Sequence, residues 1–81
     1  MLYAIKWVIR SGKTYPAKTT VGVEVFNDIK KRTAYKKLMG KDPTMAIELV
    51  QGNKTIQTVI KRVNEYKNMP NTTVLPVQYH K

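Results

Sequence analysis

Apolar and polar residues alternate from the start of the chain. Across 2–10, Tyr3, Ile5, Trp7 and Ile9 fall on one face of an extended segment, and Leu2, Ala4, Lys6, Val8 and Arg10 fall on the other. A period of two with many β-branched and aromatic residues predicts a half-buried strand. Ser11-Gly12-Lys13 reads as a turn, with Gly12 free to take positive φ. A return strand is expected over 14–19, where Pro16 has no N–H for a ladder and points to an edge or a bulge. Alternation resumes at 20–26, with Val21, Val23 and Val25 on one side, and predicts a strand through about Val25.

The period then changes. A helix is expected over 27–39, opened by Asn27 or Asp28 as N-cap and closed near Gly40, with Pro43 beyond. Its apolar stripe, Ala34, Tyr35, Leu38 and Met39, is short. Residues 45–50 read as a mostly buried strand. The next segment admits two readings. Gly52-Asn53 could turn a hairpin, but Val59 and Val63 would then face the wrong way. As a helix over 53–67, Ile56, Val59, Ile60, Val63 and Tyr66 form one clean face, with Asn53 as cap and Asn68 and Pro70 as stop signals. The helical reading fits better. A last strand is expected over 72–79, at an edge because of Pro76. The order β-β-β-α-β-α-β describes an α+β fold, a small single domain over 1–81 with two helices on a mixed or antiparallel sheet. Strand 45–50, helix 53–67 and strand 72–79 make a βαβ-like unit, right-handed if its strands are parallel neighbours.

Composition narrows the class. At 81 residues, 42% hydrophobic and 25% charged, the chain is too apolar for a disordered tail. It has no cysteine, which rules out disulfides and thiolate metal sites and fits a reducing, cytoplasmic setting. The N-terminal segment lacks the pattern of a signal peptide, and no apolar run nears the roughly 20 residues that span a bilayer, so no membrane role is expected.

Candidate chemistry is sparse. The single histidine, His80, reads as a frayed surface residue, and the five carboxylates are scattered, so no metal or other cofactor is expected. Ser11 is the only serine and has no base near it in sequence. Gly52-Asn53-Lys54-Thr55 lies between a strand and a helix, but Asn53 separates the Gly from the Lys-Thr of a phosphate loop; it reads as a tight connection. Metal-free ribonuclease chemistry needs only Lys, Arg and Tyr, and the chain ends Tyr79-His80-Lys81, yet no motif supports an enzyme. Tyr3 and Trp7 share a face with Ile5 and Ile9 and read as packing residues.

Charge carries the functional signal. The net charge is +10, and residues 1–40 hold nine Lys or Arg against two acids. Five cations crowd into 30–37: Lys30, Lys31, Arg32, Lys36 and Lys37, with Tyr35 among them and Lys41 just after. A stability-only design would avoid such self-repulsion, although Lys36 and Lys37 suit a helix C-terminus. The block therefore predicts a non-enzymatic nucleic-acid-binding protein, for DNA or RNA, gripping phosphates through Lys30, Lys31, Arg32, Lys36, Lys37 and Lys41, with Tyr35 able to stack on a base. Lys6, Arg10, Lys13 and Lys18 would widen the field. The alternative is a small regulator or inhibitor, as mobile genetic elements encode, docking on an acidic protein surface. In that reading an edge strand at 14–19 or 72–79 pairs with a partner or a second copy.

Overall fold

Two long strands with apolar residues on both faces organise the molecule, and each face takes one helix. The computed structural model describes residues 1–12 and 17–81. Strand β1 (Tyr3–Ser11) pairs antiparallel with β2 (Lys18–Phe26), in a register running from Tyr3↔Phe26 to Ser11↔Lys18. Helix α1 (Ile29–Met39) leads to β3 (Met45–Gln51), which pairs antiparallel with the outer side of β1. Helix α2 (Asn53–Glu65) ends in a 3₁₀ turn at Tyr66–Asn68. Strands β4 (Thr72–Val74) and β5 (Gln78–His80) then run along one flank of β2, both parallel to it.

Among the described residues this is a small α+β fold with a mixed five-stranded sheet and two α-helices, ordered β3-β1-β2 with β4 and β5 sharing the far edge. The strand count agrees with the sequence reading, but the divisions differ. Among the described residues, Lys18 and Thr19 belong to the same strand as Val21–Phe26, inside the sheet rather than at its edge. Lys13 and Pro16, on which the turn and the edge argument rested, lie outside the described residues. The expected strand 72–79 is an edge, broken at 75–77, where Leu75 still donates to the Val21 carbonyl (3.0 Å) but Pro76 has no N–H to offer. Segment 45–50, expected to be mostly buried, is the other edge, and only its Val50 is buried. The strand–helix–strand unit of 45–79 therefore spans the whole sheet instead of joining neighbours.

Strand alternation divides the interior. On one face Ala4, Val21, Val23, Val25 and Val50 meet Ile56 and Val63 of α2, with Val59, Ile60 and Tyr66 at the margin. These are the helical positions the 3.6-residue period selects, so the helix reading of 53–67 holds. Burying each such aliphatic side chain contributes roughly 1.5–3 kcal/mol. Gly52 precedes α2 at φ 93° and its N–H donates to Leu2 O (2.9 Å), while Asn53 Oδ1 accepts from Leu2 N (3.2 Å). Asn53 thus pins the chain start rather than capping α2. The opposite sheet face carries Ile5 and Phe26, both buried, together with Tyr3, Trp7 and Glu24. Helix α1 lies on that face.

Candidate nucleic-acid interface

Helix α1 begins where Asp28 Oδ1 accepts from the Lys30 N–H at 2.8 Å, one of the two N-caps that the sequence offers. Its inward face is formed by Arg32, Tyr35 and Met39; Ala34 and Leu38, expected in the apolar stripe, are exposed. Arg32 takes the central buried position. Only 7% of it is exposed, its Nη1 donates to Val50 O (3.1 Å), and its guanidinium sits 5.2 Å from the centre of the Tyr3 ring. A carbonyl and an aromatic face are the partners that a planar, weakly hydrated cation tolerates in a dry place. Arg32 thus binds the helix to the sheet, whereas Lys30, Lys31, Lys36, Lys37 and Lys41 are all exposed. No acidic residue occurs within α1.

Two cations of the wider field are set apart from this helix. Lys6 and Arg10 stand on the other sheet face, by strand alternation, where Lys6 Nζ lies 3.8 Å from Glu48 and 5.4 Å from the Tyr66 ring centre. Lys13 lies outside the described residues.

Beneath α1 the structure assembles a cluster that sequence reasoning missed. Glu24 is 6% exposed, and three donors from distant parts of the chain converge on its carboxylate. Trp7 Nε1 lies 3.2 Å from Oε2, the Tyr35 hydroxyl 3.2 Å from Oε1, and His80 Nε2 3.0 Å from Oε1. His80 stacks on Phe26 (centroids 4.4 Å apart, planes 13° apart), and Tyr35 packs tilted against both rings. The reading of His80 as frayed is corrected: β5 holds it in the sheet, and the carboxylate and Phe26 hold its ring. Trp7 faces Gly22 across the ladder, and a Cβ at Gly22 would overlap the indole six-membered ring. The bare backbone there lets the ring lie flat and reach Glu24. The only hint in the sequence is that Gly22, Glu24 and Phe26 alternate with the buried valines, which puts the carboxylate on the hairpin face of Tyr3, Ile5 and Trp7, opposite Ile5 and diagonal to Trp7.

This cluster acts as a clamp. Burial, the Glu24 charge and the hydrogen bond to Glu24 together raise the Tyr35 phenol above its ordinary value, which makes it a poor nucleophile. Beside the clamp a shallow concavity of about 300 Å³ is lined by Phe26, Lys31, Ala34, Tyr35, Leu38, His80 and Lys81. A larger one, about 500 Å³, lies between β3 and α2 and mixes Glu48 with Lys54 and Arg62. It flanks Gly52-Asn53, whose groups are already committed to Leu2. Among the described residues, no three His, Cys, Asp or Glu side chains are grouped to hold a metal ion. No described helix is long and apolar enough to cross a membrane.

No family model, curated protein or solved structure matches this chain.

Proposed function

We propose that this is a non-enzymatic nucleic-acid-binding domain that holds the phosphate backbone through the outer face of α1. One observation carries the reading: four exposed lysines, Lys30, Lys31, Lys36 and Lys37, share a helix without a single acid, and Lys41 continues the group. Arg32, the one cation of the block with an interior role, leaves the set. A solvated surface helix that served only solubility would gain from interspersed acids at i, i+4 spacing, and none is present. Five phosphate contacts give a slope of log K against log salt near −4.5 on duplex DNA. Fluorescence anisotropy with DNA and RNA oligonucleotides tests it. Reversing Lys30, Lys31 and Lys37 to Glu is expected to abolish binding with the fold intact, and failure of the unaltered protein to bind either nucleic acid at low salt overturns the reading.

A second reading rests on the sheet edges. Among the described residues, strand β3 has no neighbour on its outer side, and its Leu49 is 44% exposed. Such an edge suits pairing with an acidic protein partner or a second copy. Recovery of the same defined protein after nuclease treatment, unaffected by the lysine reversals, favours this reading over the first.

A further inference from the structure

Leu38 stands 65% exposed in the last turn of the most basic helix, beside an exposed Ala34. An isolated exposed leucine needs no explanation. This one forms a wall of the 300 Å³ concavity, facing the aromatic group of Phe26, Tyr35 and His80. Lys31 and Lys81 stand at the same concavity, so apolar and aromatic walls are combined with two cations. Among the described residues no Asp or Glu side chain lines it. Glu24 is buried behind Tyr35 and His80, with hydrogen-bond donors on both of its oxygens.

Resting on the nucleic-acid reading above, we infer that this concavity receives one unstacked base of a single-stranded nucleic acid. The base packs on Leu38 and the aromatic edge, and Lys31 and Lys81 hold the flanking phosphates. The volume is at the small end of ligand sites, room for one heterocycle and its sugar and not for a paired duplex. Charge complementarity selects an anion, and the apolar wall selects one that carries a flat ring. Single strands offer both, since every base has a face to stack whatever its sequence. In a duplex the same faces are already covered.

The test compares one labelled oligonucleotide, single-stranded and as its duplex, at the same salt concentration. The protein is tested unaltered and with Leu38→Ser, an exposed position whose melting curve verifies the fold. Because the leucine wall covers the apolar face of the base, Leu38→Ser is expected to weaken single-strand binding by about 10-fold or more while leaving duplex binding unchanged. The unaltered protein should prefer the single strand by a similar factor. If duplex is bound as tightly, or Leu38→Ser changes both affinities alike or neither, the lysines act alone and the pocket is overturned. If the unaltered protein binds neither, the nucleic-acid reading itself falls, and this inference with it.

Discussion

His80 Nε2 lies 3.0 Å from Glu24 Oε1 across 56 positions of sequence, and this contact fastens β5 to the middle of the sheet. Trp7 Nε1 and the Tyr35 hydroxyl donate to this carboxylate, and His80 Nε2 completes the set. One buried carboxylate thereby joins β1, α1 and β5 to β2. A buried charge is tolerated when its lone pairs are filled by donors, and here both oxygens are engaged.

Removing that acceptor leaves three donors without a partner. Glu24→Ala is expected to cost about 3 kcal/mol in urea unfolding, the range for losing hydrogen bonds to a charged group. Glu24→Gln keeps one acceptor oxygen and is expected to lose less. An unchanged midpoint for Glu24→Ala would show that the clamp contributes nothing.

Gly22 is the floor on which Trp7 rests. Gly22→Ala forces the indole to move or the strands to part, with an expected loss of roughly 1–3 kcal/mol. Trp7 is the only tryptophan, so its emission reports the change directly and should shift to longer wavelength as the ring meets water.

Arg32 and its neighbouring lysines are expected to separate in their effects. Arg32→Ala leaves the Val50 carbonyl unpaired by the guanidinium and empties the space over Tyr3, costing roughly 2 kcal/mol in stability. Lys30→Ala and Lys37→Ala are exposed changes and should stay within about 0.5 kcal/mol, altering oligonucleotide affinity instead. Thermal melts and anisotropy on the same three variants check both halves.

Alkaline pH probes Tyr35. Burial first, then the Glu24 charge and the hydrogen bond to it, raise this phenol above its ordinary value of 10.0. The unfolded chain releases the proton near pH 10 while the folded protein retains it, so this contribution is fully present below about pH 10. It is lost as the pH climbs toward the folded-state value. Unfolding free energies across that range should fall more steeply for the unaltered protein than for Tyr35→Phe, and phenolate absorbance should show a late-titrating component that Tyr35→Phe removes.

The chain's own pattern determined a good part of this molecule. The two-residue alternation of 2–10 and 20–26 determined β1 and β2, and the stripe Ile56, Val59, Ile60, Val63 and Tyr66 determined α2 and its buried face, because those periods are properties of local backbone geometry. The cap at Asn27 or Asp28, the edge position of the segment that carries Pro76 and the basic helix were equally local. What only the tertiary structure decided was which side chains met. Strand order placed 45–50 at an edge, and the hairpin register set Gly22 beneath Trp7 with Glu24 within reach of the indole N–H. The parallel return of the last strand delivered His80 to that carboxylate. Helix α1 shows the limit most clearly. Its stripe is too thin to orient it by hydrophobicity, so Arg32, with a carbonyl and an aromatic ring to receive it, turned inward, and Leu38 was left facing out beside the lysines.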